Sequence, residues 1–245
     1  MIVPEDRAEP ARAAMLSLFP EGFEEVECDA GVELAGYGDA AAERRARAIF
    51  PELAATAVQP GWEERWREFH APVVVGPLWI GPPWAAAPAA STPVVIDPGR
   101  AFGTGAHSTT RLCLDFLADL PRGPLLDVGC GSGVIAIAGA KLGFGPVIAL
   151  DSDAAAVEAA ERNVAANDVD VEVRHADALV DPLPPAEAAV ANITLDAVLA
   201  VAARITVTRL VASGYLRVDR PEPPRFSREE RRTDGHWAAD LFVRV

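Results

Sequence analysis

The run Leu125-Leu126-Asp127-Val128-Gly129-Cys130-Gly131-Ser132-Gly133 sets three glycines at alternate positions directly behind an apolar stretch. Glycines there permit a tight turn and let the backbone approach a ligand closely, between a strand and the helix that follows it. A dinucleotide fingerprint asks for glycine at the sixth position counted from Gly129. In this chain that position is Val134, and Gly133 comes one place early. The acidic Asp127 ahead of the loop suits a cationic ligand better than a pyrophosphate. S-adenosylmethionine, a sulfonium beside an amino-acid head, has that chemistry. Asp151 closes the next apolar run, where a carboxylate accepts ribose hydroxyls. Asp177 follows the third run, where an adenine amino group would be met. Capping of the following helices is the alternative for each of these two aspartates. Loop, Asp151 and Asp177 in order behind successive strands carry more weight than a lone glycine pair.

Those positions require a frame of alternating strands and helices. Strands are predicted at 125–128, 147–150, 171–174, 188–191 and 209–212, with helices at 134–142, 154–167 and 195–205. The order is that of an α/β, Rossmann-like, mostly parallel sheet. Residues 236–245 alternate apolar and polar and predict a last, antiparallel strand. Ahead of this frame lies a smaller pattern: a helix over 8–19, a hairpin of 24–28 and 32–37, a helix from Asp39 to Phe50 and a strand over 54–59. With a thin first strand at 1–4, this is a ferredoxin-like α+β order. Trp62, Trp66 and Phe69 recur at helical spacing and predict a packed helix. The Pro-, Gly- and Ala-rich run 76–93 reads as a linker. The expected domains are therefore 1–70, a linker at 71–95 and a catalytic domain at 96–245.

A longer motif carries a resemblance. Asp97-Pro98-Gly99-Arg100-Ala101-Phe102-Gly103-Thr104-Gly105-Ala106-His107-Ser108-Thr109-Thr110-Arg111-Leu112-Cys113-Leu114 is similar to the ribosomal protein L11 methyltransferase family (PrmA) of class I S-adenosylmethionine-dependent methyltransferases. So are Val190-Ala191-Asn192-Ile193, Trp62-Glu63-Glu64-Arg65-Trp66 and Ser213-Gly214. The resemblance implies a ferredoxin-like domain ahead of the catalytic one. It also implies that Thr110, Gly129, Asp151 and Asn192 are cofactor-site positions. Phe102 offers the cofactor an apolar face, Gly103 allows unusual backbone angles, and the Thr104 hydroxyl can hydrogen-bond a carboxylate. Asp127, Gly131 and Asp177 complete the expected cofactor set. Thr109 is read equally as a helix cap, and His107 and Cys130 as structural.

Asn192 is the candidate catalytic residue. Past the fourth strand it stands where the methyl group should point, and its amide oxygen can orient an amine roughly 3–3.5 Å from the reacting carbon. The implied activity is N-methylation of lysine or N-terminal amino groups on a basic ribosomal protein. No metal is required, and no metal-ligand spacing is visible. Two departures bear on the acceptor: 205–209 replaces the family's L-x-P-G-G turn, and 217–224 is rich in Arg and Pro. The Arg-rich stretch 217–232 reads as a solvated surface loop. Another protein or a small molecule as acceptor, or a non-catalytic cofactor-binding relative, are the alternative functions. An NAD-dependent dehydrogenase ranks last.

Composition narrows the class. The 245 residues carry 22 basic and 36 acidic side chains, a formal net charge of −14. That argues against direct nucleic-acid binding through phosphates. Residues 1–70 hold 15 of the acidic and 7 of the basic groups, so this segment suits a basic protein partner. No run of about 20 apolar residues predicts a membrane span. The 3 scattered cysteines and the acidic N-terminus without a signal-peptide core point to the cytoplasm. The residues specify no oligomeric state; a monomer is compatible with them.

Overall fold

The computed structural model describes residues 1–4, 7, 10, 11, 14, 15, 18, 19, 24–28, 31–36, 40–55, 71–97 and 105–245. The chain divides into two compact units, Met1–Glu64 and Arg65–Val245. In the first, strands β1 (Ile2–Val3), β2 (Glu24–Cys28) and β3 (Gly31–Ala35) pair antiparallel in the order β1-β3-β2. Cys28 faces Gly31 across the hairpin. The described positions between 10 and 18 are helical, and helix α1 spans Ala40–Ile49. Met15, Leu18, Val32, Leu34 and Ala46 build a small core. Val32 and Leu34 alternate inward along the strand, whereas Ala42 and Ala46 recur at helical spacing. Three antiparallel strands are present among the described residues, which falls short of the four-stranded ferredoxin-like order expected. Of the expected strand over 54–59, Ala54 and Ala55 are irregular and the rest lies outside the described residues. The expected helix with Trp62, Trp66 and Phe69 also lies outside them.

The second unit corrects the linker at 71–95. Strands β4 (Val73–Val75), β5 (Leu78–Gly81) and β6 (Thr92–Val95) form a small sheet, with β4 antiparallel and β6 parallel to β5. Leu78, Ile80, Val94 and Ile96 are fully buried in the main core. Their period-two spacing is the strand signal, and the prolines of the connection between β5 and β6 hide it in composition.

The main sheet has seven strands: β7 (Leu125–Val128), β8 (Val147–Asp151), β9 (Glu172–His175), β10 (Ala188–Asn192), β11 (Arg209–Leu216), β12 (Phe226–Asp234) and β13 (Trp237–Arg244). Their order is β12-β13-β11-β10-β7-β8-β9. The five strands from β7 to β11 run parallel, and β13 is antiparallel to β11. The α/β, mostly parallel class I methyltransferase sheet is thus present, with its antiparallel strand where 236–245 alternates. Helices α2 (Ser108–Asp119), α3 (Val134–Lys141) and α4 (Ala154–Asn167) follow the apolar pattern, as does α5 (Leu195–Arg204). Leu125, Val190, Val211 and Leu241 share one core cluster with residues of α2 and α3. Leu126, Val128, Ala189, Ala191 and Leu210 share another with Val198 and Val201 of α5. Both faces are buried, which is why these strands read as apolar runs.

The Arg-rich stretch 217–232 is a second correction, because most of its second half is strand β12 at the sheet edge. Pairing with β13 creates this strand, and no apolar alternation announces it. Its charges make a poor template for further strands. Arg232 lies 4.1 Å over the Phe116 ring and bonds Asp115 and Asp119, each at 2.8 Å, tying the edge to α2. The parallel step from β11 to β12 runs through 217–225 without a helix. On the α5 face below it, Asp240 is fully buried within 3.7 Å of both Arg228 Nε and Arg231 Nε. The Tyr215 hydroxyl donates to Asp240 Oδ2 at 2.9 Å.

Candidate functional site

The glycine loop lies at the C-terminal end of β7, the end at which parallel sheets bind ligands. Gly129 has φ +70°, and a Cβ there would stand 2.4 Å from Ile193 Cγ2. Gly214 has φ +99°, and its Cβ would meet the Ile193 carbonyl oxygen at 2.0 Å. The backbone after β10 therefore passes between two glycines that no larger residue can replace without displacement. This close approach sets Asn192 beside the loop.

Asp151 binds the loop from β8. Its Oδ2 accepts from Gly131 N at 2.9 Å and its Oδ1 from Asp153 N at 3.0 Å. Helix α4 is capped by Asp153, which accepts from Ala155 N, so the capping alternative does not apply to Asp151. Each Asp151 oxygen keeps acceptor capacity for a further donor. Asp177 is different: its Oδ1 accepts from Leu179 N at 2.8 Å, a local turn that matches the capping alternative. It is half-buried after β9, two residues beyond His175.

Asp127 sits beneath the loop rather than in its mouth. It is 1% exposed, and its Oδ2 accepts from Ala136 N at 3.0 Å in the first turn of α3. Its Oδ1 has no hydrogen-bond partner. Burial pushes the carboxyl up to about 7, against the Ala136 bond that favours the charged form and with Asp151 adding repulsion. The expectation of a carboxylate presented directly to a ligand thus becomes a buried acid under the loop, acting on it through α3. Cys113 and Cys130 are buried and their thiols are pushed well above the ordinary range, first by burial and next by Asp127. Neither is a nucleophile in this state.

Two residues far apart in sequence meet at the other side of the loop. Asn192 Nδ2 donates to Thr110 Oγ1 at 3.3 Å. Thr110 is fully buried and Asn192 half-buried. His107 caps α2, its Nδ1 accepting from Thr109 N at 3.3 Å, which separates the roles of the two threonines. The His107 ring meets Trp237 edge-on at 4.9 Å. Burial lowers the pKa of this histidine, as does Arg111, while Asp234 opposes them. The imidazole is neutral near pH 7.

The structure thus gathers Thr110, Gly129, Gly131, Asp151 and Asn192 around one loop, with Asp127 below and Asp177 beyond β9. Phe102, Gly103 and Thr104 lie outside the described residues. Sequence reasoning missed Trp237, which only the antiparallel return of β13 brings to His107. It also missed the buried pair Asn163 and Asn167 on α4. Two amides four apart on an alanine-rich helix face were the available signal.

The donor set fits S-adenosylmethionine. Between Arg122 and Arg162 the one basic residue is Lys141, whose Nζ donates to Asn167 O at 3.2 Å. A pyrophosphate would find no basic side chain from the loop itself, whereas Asp151 offers its remaining acceptor capacity at the loop. Among the described residues no group of three His, Cys, Asp or Glu is placed to hold a metal, and none of their helices is long and apolar enough to cross a membrane.

Comparison with known proteins adds a lineage. A sequence model described as ribosomal protein L11 methyltransferase (PrmA) matches residues 32–218. A ribosomal protein L11 methyltransferase of Thermoanaerobacter pseudethanolicus is 35% identical over 199 residues, covering 74% of this chain and 64% of that protein. One of Exiguobacterium sibiricum is 43% identical over 150 residues, covering 56% and 46%. The chain thus spans less than two thirds of the length of these relatives. The crystal structure of a ribosomal protein L11 methylase from Lactobacillus delbrueckii subsp. bulgaricus superposes with TM-score 0.61 at 27% identity, covering 69% of this chain and 95% of that one.

Proposed function

Because the chain belongs to the ribosomal protein L11 methyltransferase family, we propose that it methylates amino groups of ribosomal protein L11, on lysine, the N-terminus or both, using S-adenosylmethionine. The observation that carries this reading is the Asn192 amide, held by Thr110 at the open end of β10 beside Gly129. S-adenosylmethionine supplies a sulfonium-bound methyl group, so that a C–N bond forms as the C–S bond breaks, leaving a neutral thioether and one proton to be shed by the product amine. With Nδ2 committed to Thr110, Asn192 presents Oδ1 as the acceptor for an amine N–H, which aims the nitrogen lone pair at the methyl carbon. Positioning of this kind supplies much of the rate in a displacement. A neutral amine is favoured beside a fixed cation and away from water.

Asp151 accepts ribose hydroxyls with its remaining lone pairs while Gly131 N holds the carboxylate in place. Asp177, whose Oδ1 is taken by Leu179 N, meets the adenine amino group with Oδ2, and Phe102, Gly103 and Thr104 complete the cofactor set with an apolar face, a permissive backbone and a hydroxyl. Residues 1–70, with 15 acidic side chains, attract the basic substrate by a long-range field that salt weakens. A cytoplasmic location accords with a ribosomal substrate.

The test is incubation of the chain with labelled cofactor and L11, followed by mass spectrometry. Methyl-sized additions on L11 are expected. Cofactor binding without additions on any ribosomal protein would sink the substrate assignment and favour another acceptor or a non-catalytic binder.

A further inference from the structure

Helix α4 carries two buried amides that the catalytic reading leaves unused. Asn163 is 3% exposed and touches two separate segments. Its Nδ2 donates to Ser132 O at 2.9 Å, inside the glycine loop, and its Oδ1 accepts from Asp97 N at 3.1 Å. Asp97 is the residue at which β6 passes into the motif that runs to Thr110. One turn later, Asn167 accepts from Val95 N at 2.9 Å and donates to Val95 O at 2.6 Å. Asn167 Nδ2 also donates to Asn163 O at 2.8 Å. Asn167 therefore fastens β6 to α4, whereas Asn163 joins that strand end to the glycine loop.

From this geometry we infer that Asn163 is a positioning residue for the cofactor site, setting the glycine loop and the start of the 97–110 motif at a fixed spacing through one side chain. The inference rests on the S-adenosylmethionine reading above and adds a residue to it. A planar amide is the one neutral side chain of this size that donates at one end and accepts at the other. Ser132 is buried whereas Asp97 is exposed, so losing Asn163 removes a buried hydrogen bond from the loop and a second bond at the strand end. The loop then loses its side-chain hydrogen bond to α4, while Asp151 still holds Gly131 from β8. Loss of Asn163 thus acts on cofactor affinity beyond any effect on folding. Loss of Asn167 loosens β6 without touching the loop.

The experiment compares the full chain with Asn163→Ala, Asn163→Asp and Asn167→Ala. S-adenosylhomocysteine binding is read by calorimetry, thermal midpoint by scanning calorimetry without ligand, and Asp97 amide exchange by deuterium uptake. The two Asn163 variants are expected to bind at least tenfold more weakly at pH 8. Asn167→Ala is expected to stay within threefold of wild type even where its thermal midpoint falls as far. Asn163→Asp keeps the acceptor for Asp97 N but puts an oxygen against Ser132 O. Its deficit relative to wild type should shrink at pH 5, where a protonated carboxyl again donates. Should Asn163→Ala fail to fold, Asn163→Asp carries the test through that pH ratio. Wild-type-like affinity in a folded Asn163 variant, or an equal loss in Asn167→Ala, overturns the inference and leaves the cofactor reading intact. A wild-type chain that binds no S-adenosylhomocysteine overturns the cofactor reading and the inference with it.

Discussion

Replacing Asp127 by asparagine tests whether the acid under the glycine loop is buried as described. The carboxyl stands at about 7 in the folded chain, against an ordinary aspartate value of 3.8. An acid raised in this way contributes its stability below pH 3.8, where it is protonated in both states. That stability is lost as pH rises towards 7, because the unfolded chain ionises first. At about 1.36 kcal/mol per pH unit the whole loss is about 4 kcal/mol. About 2.6 kcal/mol of it falls between pH 5 and pH 8. Asparagine has nearly the same shape, keeps an oxygen for Ala136 N and carries no charge. Urea unfolding of the ligand-free chain should therefore show Asp127→Asn gaining about 2–3 kcal/mol on wild type from pH 5 to pH 8. Comparing the two proteins at each pH cancels the titration of other groups. A stability difference that stays constant within about 0.5 kcal/mol over that range would refute the burial argument.

Asn192→Ala removes the acceptor for the amine, and kcat should fall about 10- to 100-fold with a smaller change in cofactor affinity, a split that steady-state kinetics resolves. Asp151→Ala removes a charged acceptor and the Gly131 tie together; calorimetry should show S-adenosylmethionine binding about 10- to 100-fold weaker. In Gly214→Ala the new methyl carbon would stand 2.0 Å from Ile193 O at φ +99°, so a loss of about 3 kcal/mol or more in chemical denaturation is expected. Asp240→Ala leaves Arg231, 16% exposed, without its counter-ion under the β11–β12 connection, and a loss of about 3–5 kcal/mol in the same assay is expected.

The parallel half of the sheet was legible because each strand is buried on both faces and punctuated by glycine, proline or aspartate. The runs 125–128 and 154–167 coincide with β7 and α4 to the residue. Where two segments depend on one another, the sequence was silent. Strand β12, with its Ser-Arg-Glu-Glu-Arg-Arg run, becomes a strand through its bonds to β13, and no local preference marks it. Strands β5 and β6 were concealed by prolines in the connection between them, although Leu78, Ile80, Val94 and Ile96 alternate correctly. The site divides in the same manner. Gly129 and Asp151 are candidates from their place behind strands, and Asn192 from the family resemblance. The contact of Asn192 with Thr110 spans 82 positions and was not visible locally.

By itself the sequence determined where the glycine turn lies and that no basic side chain accompanies it, because residue type and spacing alone decide both. It also determined the α/β order, since periodicity reports burial. Tertiary structure alone decided that Asp127 lies under the loop while Asp151 faces it, because solvent exposure depends on what packs above a residue. It decided, too, that Asn163 reaches both Ser132 and Asp97, since one side chain can join two segments only after the chain has brought them together.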